Sequence, residues 1–164
     1  MAVIKIRTLS DPALPDPILR QKTKKVGAID SAIKKLIDDM IDSMRAASGV
    51  GLAAPQIGLS LRIAVIEIPE AEVIILINPE IVKRKGSRLI EEACLSLPGY
   101  SGHINRSLIV KVSALDRHGR KIVVVGEDLL AQALEHEIDH LKGILYTDHA
   151  TDVQKVMAHE SYQI

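Results

Sequence analysis

His136 and His140 stand four residues apart, with Glu137 beside the first, in the stretch His136-Glu137-Ile138-Asp139-His140. An α-helix turns once in about 3.6 residues, so positions i and i+4 lie on nearly one face. Both imidazoles can then grip one divalent metal, while Glu137 is directed at a water on that metal. The chemistry open to such a site is hydrolysis of an amide-type bond.

A catalytic site of this kind takes three protein ligands and keeps one position open for water. A third histidine six residues after the second, as in one group of zinc proteases, is excluded because that position is Tyr146. Two candidates are left. Glu160 follows His140 by twenty residues, the arrangement of a thermolysin-like protease, but only four residues come after it. Cys94 lies upstream, in Glu92-Ala93-Cys94-Leu95-Ser96, and a metal would hold its thiolate deprotonated.

The elements that must position these groups follow from hydrophobic spacing. Residues 128–142 have a helical period, with Leu129, Leu130, Ala133, Leu134, Ile138 and Leu141 on one stripe and Gly143 as the stop. The histidine pair therefore sits inside a helix, where a rigid metal site needs it. Residues 31–47 give a second amphipathic helix, with Ile33, Leu36, Ile37, Met40, Ile41 and Met44 on the apolar face. Asp30 or Ser31 caps its start, and Gly49 ends it.

Residues 62–68, 73–77 and 81–85 are rich in Ile and Val and read as strands, the last two split by Asn78-Pro79. Residues 108–115 and 121–125 flank Asp116-Arg117-His118-Gly119-Arg120 and form a hairpin. Residues 8–29, with Pro12, Pro15 and Pro17, read as an irregular arm, and the tail after Asp148 as a short helix. The expected architecture is a single α+β domain over residues 1–164. Mostly antiparallel sheets pack around the central histidine-bearing helix, with the second helix near the N-terminus.

Composition narrows the partners. Lys plus Arg and Asp plus Glu are 21 each, so no net field draws in nucleic acid or an anionic membrane. With three Tyr and no Phe or Trp, the chain lacks the aromatic platforms on which single strands stack. No apolar run approaches membrane-spanning length, and the N-terminus does not read as a signal peptide. Cys94 is the only cysteine, which excludes an internal disulfide and fits a reducing cytoplasm.

Three separated motifs resemble those of the peptide deformylases, enzymes that remove the formyl group from N-formylmethionyl nascent chains. Gly49-Val50-Gly51-Leu52-Ala53-Ala54-Pro55-Gln56 is similar to the family's GxGLAAxQ. Glu92-Ala93-Cys94-Leu95-Ser96 is similar to EGCLS, and His136-Glu137-Ile138-Asp139-His140-Leu141-Lys142-Gly143 to HExDHxxG. The resemblance implies that Cys94, His136 and His140 hold one divalent metal per chain, natively Fe²⁺, with Zn²⁺, Ni²⁺ or Co²⁺ also compatible. It implies that Glu137 is general base and acid, and that the Gln56 amide and Leu95 backbone N–H bind the oxyanion. Val50 and Gly51 would pair with an extended formylmethionyl peptide, and Val50, Ile90, Leu129 and Ala133 would line the methionine pocket.

The implied partners are nascent chains at the ribosome in a bacterial cytoplasm, with no nucleic acid needed for catalysis and no membrane. Three residues depart from the family pattern: Ala93 stands where Gly is usual, Glu135 where Gln is usual, and Ser101 where many members have Arg. They motivate a competing reading, a weakly catalytic homologue that binds processed N-termini. The other is a metalloprotease that uses Glu160. His103, His118, His149 and His159 have no comparable spacing and read as solvated or structural.

Overall fold

A computed structural model describes residues 2–156 and 163–164. The irregular arm leads to helix α1 (Ser31–Ala46), where the Asp30 carboxylate accepts from the Ile33 N–H at 3.0 Å, as the capping pattern predicts. Strand β1 (Gly51–Ala53) follows, then a short 3-10 turn over Ala54–Ile57 and strand β2 (Ile63–Ile66). Next come β3 (Ile74–Lys85), β4 (Arg88–Cys94), β5 (Leu97–Arg106), β6 (Ile109–Leu115) and β7 (Lys121–Glu127). Helix α2 (Asp128–Leu141) carries the two histidines, and β8 (Thr151–Lys155) comes after it.

The strands form two antiparallel sheets. One has the order β1-β2-β3-β6-β7, the other β4-β5-β8. This is the expected α+β arrangement around a central helix.

Strand periodicity explains how one sheet serves two helices. Every residue of β2 is buried, because both of its faces are covered. Ile63 and Val65 join the cluster built on Ile37, Met40 and Met44 of α1. Ile66 joins the cluster of Ala131, Ala133, Leu134 and Ile138 of α2, with Leu76 from β3 and Val110 and Val112 from β6. The sheet is thus sandwiched, and the metal-candidate helix is held by apolar packing along its length. Burying a side chain such as Leu134 or Ile138 contributes about 1.5–3 kcal/mol.

Several sequence expectations need correction. The runs 73–77 and 81–85 are one strand. Asn78 absorbs the break in the left-handed region (φ 52°), and its side chain accepts from Val26 N–H (2.8 Å) and donates to the Val26 carbonyl (2.9 Å). Pro79 lies at a shift in register, the kind of place where a strand tolerates a missing N–H. The segment after Asp148 is not helical where it is described: Thr151–Lys155 pairs with β5 as a strand. Residues 157–162, including Glu160 and His159, lie outside the described residues. Strands β1, β4 and β5 were not expected, because the catalytic motifs interrupt their apolar alternation. Among the described residues, no helix is long and apolar enough to cross a membrane.

Candidate active site

Helix α2 presents His136 and His140 on one face, as the i, i+4 spacing requires, and β4 ends on Cys94 opposite them. The His136 and His140 Nε2 atoms are 3.1 Å apart, and His140 Nε2 is 3.3 Å from Cys94 Sγ. Two nitrogens each about 2.1 Å from one tetrahedral ion would stand roughly 3.4 Å apart. The separation observed is close to that. Among the described residues, these three are the one set whose donor atoms converge so tightly, all within 4.8 Å, and all three side chains are buried. One thiol and two imidazoles form a donor set suited to a divalent transition metal.

Glu137 lies beside this set and is fully buried. Among the described residues, neither of its carboxylate oxygens has a hydrogen-bond partner. Burial is the main cause that pushes its carboxyl up to about 7, the range in which a carboxylate can take and return a proton near neutral pH. Its position depends on Gly51, where a Cβ would come within 2.5 Å of Glu137 Oε1.

Behind His136 the environment is the opposite. Glu92 is equally buried, but its oxygens meet His136 Nδ1 at 2.7 Å and Arg106 at 2.9 and 2.6 Å. Gln132, one turn before His136 on α2, donates a further bond at 3.2 Å. Burial alone would raise the Glu92 carboxyl; the facing His136 and Arg106 overcome this and hold it at about 2. Burial would likewise depress His136, but Glu92 and Cys94 raise it well above the usual imidazole range. His140 faces no such carboxylate contact and burial depresses it. Arg106 also pairs with Asp139 at 2.8 Å, so Asp139 completes the ion-pair network.

Glu92 was not singled out from the sequence. Strand alternation held the signal, since residues i and i+2 share a face and Glu92 precedes Cys94 by two.

The glycine-rich motif supplies β1 and the turn after it. The Gln56 amide is buried. Its oxygen accepts from the Ala53 N–H at 2.9 Å, and its nitrogen donates to Ser96 Oγ at 3.0 Å and points toward Cys94 Sγ at 3.8 Å. Leu95, next to Cys94, donates its N–H to the Ile164 carbonyl at 3.1 Å. Of the expected pocket residues, Val50, Leu129 and Ala133 fall in the apolar cluster around α2. Ile90 packs against the cluster that holds Cys94, Leu97 and Ile104.

The three departures also have places. Ala93 is buried and its carbonyl accepts from the Ile164 N–H at 3.3 Å. Ser101 is buried on β5, paired with Gln154 of β8. Glu135 bonds Arg84 at 2.9 Å and the Ser107 N–H at 2.6 Å, so its carboxylate is engaged away from the histidines.

The family model described as Polypeptide deformylase matches residues 11–156. A peptide deformylase of Alkaliphilus metalliredigens is 53% identical over 148 residues, 90% of this chain and 97% of that protein. One of Dehalococcoides mccartyi is 54% identical over 137 residues, 83% of this chain and 82% of that protein. The crystal structure of a peptide deformylase from Legionella pneumophila superposes with a TM-score of 0.86 at 46% identity, covering 92% of this chain and 88% of that one. With its sequence, its two sheets and its histidine-bearing helix all matched along most of the length, the chain belongs to the polypeptide deformylase family.

Proposed function

We propose that this enzyme removes the N-formyl group from the N-terminal formylmethionine of newly made polypeptides in a bacterial cytoplasm, releasing formate. The observation that carries the reading is Glu137: a buried carboxylate with no partner among the described residues, set against a convergent Cys94, His136 and His140. Burying such a group without a partner costs stability and persists where a reaction uses it.

Cys94, His136 and His140 would hold the metal, Fe²⁺ natively, with Zn²⁺, Ni²⁺ or Co²⁺ as substitutes. When bound, it supplies Lewis-acid polarisation of the formyl oxygen and acidification of water. Glu92 holds the His136 ring through Nδ1, which leaves Nε2 facing the ligand group.

Glu137 accepts a proton from the attacking water as its oxygen bonds to the formyl carbon. The carbon–nitrogen bond then breaks, and Glu137 returns the proton to the departing amine, so formate and a free methionyl amine result. The Gln56 amide nitrogen and the Leu95 N–H are the donors for the oxygen that gains charge. Losing one such donor typically costs about 10²–10³ in rate. The Val50 and Gly51 backbone receives the peptide as an added strand. Val50, Ile90, Leu129 and Ala133 receive the methionine side chain, Ile90 from the strand that also carries Cys94.

The deciding experiment measures formate released from formyl-Met-Ala-Ser by Fe²⁺- or Ni²⁺-loaded protein prepared without oxygen, beside Glu137→Ala. Turnover that collapses in the variant supports the reading. A metal-loaded parent that releases no formate would overturn it.

A further inference from the structure

The peptide cleft just described is occupied by the chain itself. Gln163 and Ile164 lie along it, with Gln163 in an isolated parallel bridge to Ala93. The Val50 N–H donates to the Gln163 carbonyl at 3.0 Å, and the Leu95 N–H to the Ile164 carbonyl at 3.1 Å. The Ile164 N–H donates to the Ala93 carbonyl at 3.3 Å. The Ile164 side chain is fully buried, in the same cluster as Val50, Ala133 and Ile138.

Three of these contacts use a group the reaction needs. The Val50 backbone belongs to the strand edge that would receive the peptide. The Leu95 N–H is one of the two oxyanion donors. Val50, Leu129 and Ala133 are the walls for the methionine side chain. An apolar side chain on backbone bonded to both edges of a cleft is also the chemical description of the substrate.

We propose that Gln163–Ile164 is a built-in competitor for the peptide cleft, displaced when a formylated peptide binds. The proposal rests on the cleft being the peptide site, as proposed above. Strand β8 supplies the means: the Val156 N–H donates to the Gly99 carbonyl of β5 at 2.9 Å, and β4, the partner of β5, borders the cleft. A ligand tethered so near competes at high effective concentration. The apparent affinity for an external peptide falls by the fraction of molecules whose cleft is open.

The test compares the parent with Ile164→Asp, which places a charge in the apolar pocket, with Ile164→Val, and with a chain lacking Gln163 and Ile164. In metal-loaded enzyme, Ile164→Asp and the shortened chain should lower KM for formyl-Met-Ala-Ser by about tenfold with kcat unchanged, and Ile164→Val should stay near the parent. Independently of turnover, calorimetry on metal-free protein should show the same peptide binding about tenfold tighter to those two proteins. In parent protein labelled at isoleucine δ-methyls, the Ile164 resonance should move from a buried to a solvent-exposed shift as peptide is added.

Equal or weaker peptide binding by both altered chains, or an Ile164 methyl that stays buried in the peptide-bound protein, would overturn the proposal. Tighter binding and a released Ile164 methyl without formate from any of the proteins would keep the competitor and overturn the deformylase reading instead. No peptide binding to any of them would overturn both.

Discussion

Glu92 and Glu137 are two fully buried carboxylates on either side of the same histidine, and the protein treats them in opposite ways. Glu92 is paired with Arg106, His136 and Gln132 and held ionised, with its carboxyl at about 2. Glu137 has no partner for either oxygen among the described residues, and its carboxyl rises to about 7. The first arrangement builds a fixed charge that locks a ring in place. The second leaves a proton acceptor poised near neutrality. Burial is common to both, so the difference lies in the neighbours: a guanidinium and an imidazole behind, a glycine in front.

The comparison breaks most sharply in activity. Glu137→Ala should cut formate release by about 10²–10⁴-fold, the usual worth of a positioned general base, with the parent's fold retained by circular dichroism. Loss of less than tenfold would mean that another group moves the proton.

The next largest effect is on stability, and it belongs to the other carboxylate. Glu92→Ala removes the main partner of a buried guanidinium, leaving Arg106 with Asp139 alone. Breaking a buried pair in this way typically costs about 3–5 kcal/mol, readable as a lower urea midpoint. Metal affinity should fall by about 10–100-fold as His136 loses its anchor. A variant with parent-like stability would show that Glu92 and Arg106 are not coupled as the distances indicate.

The two groups also have opposite pH signatures in metal-free protein. Glu137 has its folded-state carboxyl raised, so its contribution is intact below about 4.5 and is lost as pH rises through about 7. Glu137→Gln should therefore melt with the parent in acid and above it at neutral pH. The gain is about 3 kcal/mol, on the order of 5–10 °C. Glu92 has its carboxyl lowered, so its contribution is present above about 4.5 and is lost as pH falls toward 2. Melting curves from pH 3 to 8 check both signs. A Glu137→Gln gain that does not grow between pH 5 and 7 would contradict the raised carboxyl.

The contrast was only half legible in the sequence. Glu137 was readable because its role is encoded in spacing along one helix. Glu92 was not, because its partners come from β5 and α2, fourteen and forty-four residues away. The same division runs through the fold. Helices α1 and α2 and strands β2, β6 and β7 show periodic apolar faces, and the sequence predicts them, whereas it splits β3 in two at Asn78-Pro79. Strands β4 and β5 carry Glu92, Cys94, Ser101 and Arg106 in buried positions, so polarity there marks the site and hides the strand. The place of Ile164 was illegible for another reason: one isoleucine has no period, and its position depends on backbone bonds of Gln163 to Val50 and of Ile164 to Ala93 and Leu95.

The smallest effect separates a charge that matters from one that does not. Glu135 adjoins His136 in sequence, yet its oxygens go to the Ser107 N–H and to Arg84, whose side chain is half exposed. Glu135→Gln keeps an oxygen for the Ser107 N–H and gives up only the ion pair. Pairs with an exposed partner contribute about 0–1 kcal/mol, so the urea midpoint should barely move. No titrating group of the ligand set touches Glu135, so kcat and KM should also stay within about twofold, a change of less than 1 kcal/mol. A larger shift in kcat would mean that the field of Glu135 reaches His136 across the helix. The fixed charge behind the ring would then extend from Glu92 and Arg106 to a third residue.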